Sequence, residues 1–285
     1  MSGAMRASKL AHHYREAPQK TDADGTRHWI TRAANFVVVV SDAKAGTTFT
    51  RDNQPDEYML LIGAAQDAEV EAGGAKIDAG EESLTILPPG ASRIRVLKDG
   101  YIVRVFSTQT KDIADAAVNG DMYADGAPEV APIKPWPDPV GGFKLRHYKL
   151  ADYPSSDPGP MKMRIFRSTN LMINIFEPWQ KARDTTKMSP HSHEDFEQIS
   201  LCMDGSFKHH MRYPWVPDMS TWREDEHVAN DSPAVLVIPA RVIHTSRNVT
   251  DNRAQLIDIF APPRVDFSSR PGLVKNEADY PMPKM

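Results

Sequence analysis

Three histidines and one glutamate are the residues of this sequence best suited to chemistry. His191 and His193 stand two positions apart, Glu197 follows four positions later, and His244 lies far downstream. Imidazole nitrogens and carboxylate oxygens form a ligand set that suits a divalent transition metal such as iron, manganese, nickel, copper or zinc. On extended backbone, residues two or four positions apart project to the same face. We therefore predict that His191, His193 and Glu197 share one wall of a metal site.

The same residues also have less specific interpretations. A single histidine on a strand is usually structural or exposed, and the acidic segment from Glu194 to Glu197 could be a turn in water. Glu194 could compete with Glu197 as a ligand, whereas Gln198 is expected on the opposite face of an extended segment. The four residue types and their spacing together favour metal binding over these alternatives.

The segments around the four residues resemble the two sequence motifs of the cupin family. The usual family patterns are H-x-H-x-x-x-E, followed by a strand ending in Gly, and later P-x-G-x-x-H-x-x-x-N. The first pattern matches residues 191–205 and the second matches residues 239–248, with Arg241 where the family usually has Gly. The resemblance implies a small β-barrel in which one metal ion is bound by His191, His193, Glu197 and His244.

The first half of the chain repeats both motifs without the histidines. Arg51, Asn53 and Glu57 have the offsets of His191, His193 and Glu197, and Pro88, Gly90 and Arg93 have the offsets of Pro239, Arg241 and His244. An apolar strand follows each block, at residues 101–106 and 255–260. By resemblance the chain is a bicupin. We predict an all-β fold of two tandem jelly-roll barrels, with an N-terminal barrel at 1–126, a proline-rich connector at 127–160 and a metal-binding barrel at 161–285.

The first copy is predicted to bind no metal. Arginine stays protonated and offers no lone pair, so Arg51 and Arg93 cannot replace histidine ligands, and Glu57 alone would hold a metal poorly. The two arginines could form a structural ion pair with Glu57 or a pocket for a carboxylate or phosphate. We therefore expect one divalent metal per chain, with iron favoured and manganese, nickel or zinc possible.

Composition places the chain among ordinary globular proteins and excludes several functions. Of 285 residues, 40% are hydrophobic and 25% charged, which suits two modest domains with real cores. The formal charge of -4 with no basic tract argues against nucleic acid, and no apolar run has membrane-spanning length. One cysteine, Cys202, and no apolar secretory segment at the start predict a cytoplasmic protein. Exposed sheet edges and polar terminal arms suggest a homodimer or larger homo-oligomer.

An aromatic segment distinguishes the second copy. Glu197 and His244 are 47 residues apart, whereas Glu57 and Arg93 are 36 apart, and about eleven extra residues fall largely within 209–227. Such a loop could form a substrate wall, or Trp215 and Trp222 could instead cover the barrel or a dimer contact. The predicted catalytic residues are Glu197 and His209. The predicted substrate contacts are His210, Arg212, Tyr213, Trp222 and Arg247.

The family resemblance leaves several reactions open. The leading hypothesis is an Fe(II)-type dioxygenase that acts on a small enolisable, diketonic or hydroxylated aromatic acid, with Arg212 or Arg247 neutralising a carboxylate. The alternative is a metal-dependent isomerase or lyase of a keto sugar or sugar acid, in which Glu197 or His209 assists proton transfer. A third is a non-catalytic protein that binds a metal or a small ligand.

Overall fold

The chain folds almost entirely into antiparallel β-structure. A computed structural model describes residues 5–156, 159 and 161–284. The strands are Lys9–Ala11 (β1), Lys20–Thr21 (β2), Arg27–Arg32 (β3), Phe36–Ala43 (β4), Thr48–Gln54 (β5), Tyr58–Ile62 (β6), Ala68–Ala72 (β7), Ala75–Ala79 (β8), Ser83–Leu87 (β9), Gly90–Val96 (β10), Gly100–Ser107 (β11), Arg146–Lys149 (β12), Ile165–Arg167 (β13), Met172–Ile175 (β14), Gln198–Asp204 (β15), Phe207–Arg212 (β16), Glu226–Asn230 (β17), Ala234–Ile238 (β18), Ile243–Asn248 (β19) and Gln255–Phe260 (β20).

Helical structure is confined to short turns. The α-helical segments are Lys111–Ala114 (α1) and Val265–Ser268 (α2), and 3-10 turns occur at Gly120–Tyr123, Leu150–Asp152 and Met219–Thr221. Twenty-three prolines are consistent with this, since proline removes a backbone donor and disrupts a helix interior. No helix in the described part of the chain has the length and apolar character needed to cross a membrane.

Each half of the chain forms one two-sheet barrel. The first barrel has a seven-stranded sheet, ordered β12-β9-β6-β11-β4-β3-β2, opposite a four-stranded sheet, ordered β5-β10-β7-β8. The second has a six-stranded sheet, ordered β1-β18-β15-β20-β14-β13, opposite a three-stranded sheet, ordered β17-β16-β19. The predicted duplicated all-β fold is confirmed.

The two large sheets pack against each other through one apolar core. Val38, Leu61 and Val105 from the first barrel belong to the same buried cluster as Ile199 and Ile257 from the second. Side chains alternate along each strand, so the opposite faces of these strands point into the two barrel interiors. This shared core therefore supports the outer face of the strands whose inner face carries the candidate site.

Two strands pair with partners on the other side of a predicted domain boundary. The early strand β1 pairs with β18 and completes the large sheet of the second barrel. Strand β12, which lies inside the predicted connector, pairs with β9 and completes the large sheet of the first barrel. The boundaries at 126 and 161 therefore do not coincide with the limits of the sheets.

Candidate metal centre

The structure brings His191, His193 and His244 together at the mouth of the second barrel. One ring nitrogen from each lies within 4.8 Å of the others. The ring centroids of His191 and His244 are 4.5 Å apart, and that of His193 lies 5.0 and 5.1 Å from theirs. Backbone hydrogen bonds of 3.1 and 2.8 Å pair His191 with His244 directly, which fixes the two Cα positions across the barrel wall.

Each ring also has one nitrogen next to a protein oxygen that accepts a hydrogen bond. Nδ1 of His191 lies 2.9 Å from the Ser189 carbonyl, and Nδ1 of His244 lies 2.9 Å from the Val242 carbonyl. Nε2 of His193 lies 3.0 Å from Gln198 Oε1. A ring that donates through one nitrogen keeps a lone pair on the other, and metal-binding histidines are commonly oriented in this way.

The donor set fits a divalent transition metal. Nε2 of His244 is buried and has no hydrogen-bond partner among the described residues, although an unpaired buried nitrogen is costly. Burial lowers the pKa of His193 to about 2 and that of His244 to about 4, so both rings are neutral at physiological pH. Neutral imidazole is the form that binds iron, manganese, nickel, copper or zinc.

Glu197 does not join the three histidines, which corrects the predicted ligand set. The argument from alternation assumed extended backbone from His191 to Glu197, but a bend at Glu194 and Asp195 interrupts it. The Glu197 side chain therefore points to the same side of the strand as that of Ile199, which enters the core between the barrels. Its carboxylate is 1% exposed and points toward the first barrel. The bend also turns Gln198 toward His193, opposite to the predicted direction.

The Glu197 carboxylate instead joins the two halves of the chain. Its Oε2 accepts hydrogen bonds from the Ala34 backbone N–H at 2.6 Å and from the Tyr123 hydroxyl at 2.9 Å. In the first barrel, Glu57 accepts from the Thr169 backbone N–H at 3.0 Å and from the Tyr280 hydroxyl at 2.8 Å. The two glutamates therefore make reciprocal contacts across the interface. We call these contacts the glutamate clasps.

The glutamate clasps correspond to a repeated sequence pattern that lies outside the two motifs. Tyr123 and Tyr280 each follow an asparagine by four positions, Asn119 and Asn276. Asn119 hydrogen bonds both backbone groups of Arg32, at 2.9 and 2.8 Å, and Asn276 does the same for Arg167, at 3.0 and 2.8 Å. The repeat thus extends beyond the barrels into the segments that follow them.

A chain of polar side chains leads from the histidines into the barrel. Gln198 approaches His193 with its oxygen and donates through Nε2 to the Ser200 hydroxyl at 2.9 Å. Ser200 in turn donates to Asp258 Oδ1 at 2.7 Å. Burial raises the pKa of the Asp258 carboxyl to about 7. The sequence analysis placed Gln198 on the opposite face and did not single out Ser200 or Asp258, although each is a polar residue on a largely apolar strand.

A small cavity adjoins the histidines. Its volume for water-sized molecules is about 30 Å³, enough for a few waters, and its polar lining includes His191, Gln198, His244, Asp258 and Arg183. The Arg183 guanidinium donates to the carbonyls of Ser246 and Lys187 and to the Ser189 hydroxyl. Among the described residues it has no carboxylate partner, so it offers a positive charge to the cavity.

Four of the predicted substrate contacts lie outside this cavity. Strand β16 directs Phe207, His209 and Met211 inward, so His210 and Arg212 are on its outer face. His210 pairs with His227, Arg212 with Asp225, and Trp222 stacks on Trp215 with 4.6 Å between ring centroids. Arg247 lies on β19 opposite Lys208, on the same outer face as His210. The structure thus places His210, Arg212, Trp222 and Arg247 outside the cavity that adjoins the histidines.

The two other predicted functional residues of this segment are internal. Tyr213 is buried and donates to Glu226 at 2.6 Å while accepting from the Ser8 backbone N–H, so its role is structural. His209 is buried with both ring nitrogens occupied, by Ser246 at 2.6 Å and Asn230 at 2.9 Å. Burial lowers the pKa of His209 to about 4. It supports Ser246, which lines the cavity, and does not line it itself.

Among its described residues, the first barrel has no comparable group of histidines. Strand pairing places Arg51 opposite Ser92, the counterpart of the His191 and His244 pair, and Tyr58 occupies the position of Gln198. The Tyr58 hydroxyl lies 2.8 Å from Ser92 Oγ, and its ring stacks on the Phe106 ring. These side chains fill the space that the cluster of histidines occupies in the second barrel.

The arginines of the first barrel also differ from expectation. Arg51 forms a bidentate ion pair with Asp112, at 2.6 and 2.9 Å, and does not pair with Glu57. Arg93 is exposed because an irregularity between Gly90 and Ser92 shifts the register of β10. Arg51 is therefore in an ion pair, although not with the expected partner Glu57, and Arg93 does not face inward.

Arg241 adopts the positive φ of a turn at the position where the family pattern has glycine. Its φ is +67°, and its backbone N–H donates to the His193 carbonyl at 2.5 Å. Its counterpart in the first barrel, Gly90, has φ +98°. A side chain in the left-handed region costs about 1–2 kcal/mol. The turn before His244 is therefore preserved with backbone strain.

We expect Arg241→Gly to raise the free energy of unfolding by about 0.5–1 kcal/mol, because relief of strain exceeds the added entropy of the unfolded chain. Chemical denaturation would measure the change, and Arg270→Gly provides a control at a position without positive φ. A loss of stability would show that the Arg241 side chain has a stabilising contact that outweighs the strain.

Comparison with known proteins identifies the architecture. No family model matches the sequence, and no curated protein matches it either. Among solved structures, the Lactobacillus farciminis oxalate decarboxylase formate complex matches with 16% identity and a TM-score of 0.59, covering 93% of this chain and 87% of that chain. A cupin 2 conserved barrel domain protein from Leptotrichia buccalis matches with 10% identity and a TM-score of 0.51, covering 89% and 96%.

A third solved structure is Bacillus subtilis oxalate decarboxylase with its Mn(II) centres. It matches with 13% identity and a TM-score of 0.56, covering 91% of this chain and 78% of that chain. At these identities the likeness concerns the fold. It extends over nearly the whole chain and therefore includes both barrels.

Proposed function

We propose that this chain, a bicupin by fold, is an enzyme that uses one divalent transition metal in its second barrel to act on a small carboxylic acid. The observation that carries the proposal is the cluster of His191, His193 and His244, whose ring nitrogens converge within 4.8 Å. The first barrel fills the equivalent space with Tyr58 and Ser92, which supports one metal per chain.

The charge of the site supports an anionic substrate. Three imidazole ligands would carry no negative charge to compensate a divalent cation, because Glu197 lies in the barrel interface. Arg183 adds a guanidinium to the cavity wall without a carboxylate partner among the described residues. A substrate carboxylate would compensate this charge and accept hydrogen bonds from Arg183. Arg183 thus takes the role that the sequence suggested for Arg212 or Arg247.

The size of the cavity supports a compact substrate. About 30 Å³ is enough for a few waters, so a small aliphatic acid fits the enclosed part better than a hydroxylated aromatic acid. The apolar walls contributed by Phe207 and Leu256 exclude bulk water from the inner end. The substrate would enter from the side of His191, which is the exposed histidine of the three.

The leading reaction is an Fe(II)-type dioxygenation. When bound, the metal would act as a Lewis acid toward substrate oxygens, and iron would add redox chemistry. Three histidine ligands leave room for both a chelating substrate and oxygen around a six-coordinate ion. Residues of this chain hold the three rings in orientation, position the substrate carboxylate and limit water.

A non-oxidative lyase or isomerase reaction is the second candidate. The Asp258 carboxyl in the cavity favours it, because a carboxyl whose pKa lies near 7 can exchange protons with a substrate at neutral pH. The likeness in fold to oxalate decarboxylases, including one with Mn(II) centres, supports manganese for this candidate.

Metal analysis combined with gas measurements would separate the candidates. Protein purified without chelator is expected to contain one iron, manganese, nickel or zinc ion per chain. Oxalate, keto sugars and dihydroxybenzoates would then be tested for oxygen uptake and carbon dioxide release. Oxygen-dependent turnover would support the dioxygenase, and equal aerobic and anaerobic turnover would support the lyase or isomerase. Metal binding without turnover of any acid would favour a binding protein and contradict the proposed enzyme.

We also propose that the chain acts in the cytoplasm as a homodimer. The stacked pair of Trp215 and Trp222 supports a contact surface, since Trp215 is 76% exposed. Light scattering after size-exclusion chromatography would measure the mass, and a monomer at micromolar concentration would contradict the dimer.

A further inference from the structure

Asp258 is the carboxyl group that shares the cavity with the clustered histidines. It lies on β20, which is flanked by β15 and β14 within the six-stranded sheet. It is partly accessible although the neighbouring residues Ile257 and Ile259 are buried. Because its strand is internal and its side chain lines the cavity beside His191 and His244, this accessible surface faces the cavity.

The surroundings of Asp258 can hold the carboxyl in either protonation state. Ser200 donates to Oδ1 at 2.7 Å, and Gln198 and Asn174 are the other polar neighbours on β15 and β14. The charged or titratable groups around it are Arg264, which favours its ionised form, the buried thiol of Cys202, and Arg183, His191 and His244, which line the same cavity. No ion pair fixes its charge among the described residues. Burial raises its pKa to about 7, so both forms are populated at neutral pH.

The internal repeat provides a comparison within the same chain. Asp258 pairs with Ser200 on one side and Asn174 on the other, whereas its counterpart Arg104 pairs with Leu60 and Val39. The barrel without clustered histidines therefore has an arginine packed against the Phe49 ring at this position. At this position of the repeat, the carboxyl with polar neighbours therefore belongs to the barrel that has the three histidines.

We propose that Asp258 is the acid–base residue of the second barrel, which removes a proton from the carbon next to the carbonyl of a bound keto acid. The substrate C–H bond breaks, its electron pair moves into the enolate, and the proton forms an O–H bond on the Asp258 carboxylate. Return of the proton to carbon or its release to water restores the carboxylate. The inference rests on the proposed metal-dependent function, and the same step would serve either reaction, since each has substrates with an enolisable carbonyl among its candidates.

Hydrogen exchange in pyruvate tests this step without requiring the natural substrate. The metal-loaded chain is incubated with pyruvate in D₂O, and loss of the methyl proton signal is followed by NMR. We expect exchange that exceeds the metal-free control and rises with pH to a plateau once the Asp258 carboxyl is ionised, because the ionised carboxylate is the base. Asp258→Asn is expected to slow exchange at least about 100-fold at unchanged metal content, and Asp52→Asn, an exposed control, to leave it unchanged.

The pH dependence of folding stability reports the raised pKa of the Asp258 carboxyl without metal or substrate. The folded chain binds the Asp258 proton up to about pH 7, whereas the unfolded chain loses it near pH 3.8, so folding stability falls as pH rises between these values. The metal-free wild type should therefore lose thermal stability relative to Asp258→Asn from pH 4 to pH 8. Parallel stability curves would overturn the proposal.

The outcomes distinguish this inference from the proposed function. Wild-type exchange rates in Asp258→Asn, or no exchange above the metal-free control in the wild type, would overturn the role of Asp258. Neither result would affect the one-metal stoichiometry or turnover of an acid in the gas measurements, by which the proposed function is judged. Ser200→Ala, which removes the hydrogen bond to Oδ1, is expected to shift the pH midpoint upward without abolishing exchange.

Discussion

Replacing both His191 and His244 by alanine is expected to reduce bound metal from one ion per chain to less than about 0.1. The two rings are adjacent, and together they supply two of the three converging nitrogens. Loss of a residue that only supports a ligand already lowers metal affinity about 10–100-fold, so loss of two ligands should exceed this range. Elemental analysis after gel filtration would measure the change, and turnover should disappear with the metal.

The pair of His210 and His227 provides a matched control. These two histidines also face each other across neighbouring strands, with 4.8 Å between ring centroids, but they lie on the outer face of the barrel. Alanine at both positions should leave one metal per chain. Retention of metal by the His191 and His244 variant, with normal circular dichroism, would reject the proposed centre.

Glu197→Ala is expected to destabilise the protein by about 2–4 kcal/mol while leaving its metal content unchanged. The substitution removes the acceptor of the Ala34 backbone N–H and of the Tyr123 hydroxyl, both at the buried interface between the barrels. A buried donor left without a partner costs about 1–3 kcal/mol. Chemical denaturation and metal analysis of the same preparation would measure both quantities.

Two further variants separate the structural role of Glu197 from the role of a ligand. Glu57→Ala breaks the corresponding clasp in the first barrel and should cause a similar loss of stability, again without metal loss. Glu194→Ala alters an exposed carboxylate in the bend and should change neither quantity. Metal loss in Glu197→Ala at full stability would instead restore Glu197 as a ligand.

The repeat and the cluster of histidines could be predicted because each consists of particular residue types at fixed spacing. The motif around 191–205 and its copy in the first half contain the turn residues and apolar strands that each barrel needs. Arginine at position 51 was enough to exclude a histidine-type site in the first barrel. The pairing of His191 with His244 follows from the closure of the barrel.

The direction of individual side chains was harder to predict. One bend at Glu194 and Asp195 reverses the alternation after His193, so Glu197 and Gln198 exchange faces. Loops carry no periodic signal that would reveal such a bend. The cavity residues Arg183 and Asp258 are distant from the motifs in sequence, and only the folded barrel brings them to the histidines. On β16, by contrast, simple alternation already assigns His210 and Arg212 to the outer face.

The pairing of β1 with β18 has a consequence for biosynthesis. Residues 9–11 are translated more than two hundred residues before their partners 235–237. The second barrel therefore cannot finish its sheet as a separate fragment, and a truncated gene product starting near residue 161 would present the edge of β18 to other chains. Nascent chains must keep residues 9–11 available for pairing until residues 235–237 have been translated.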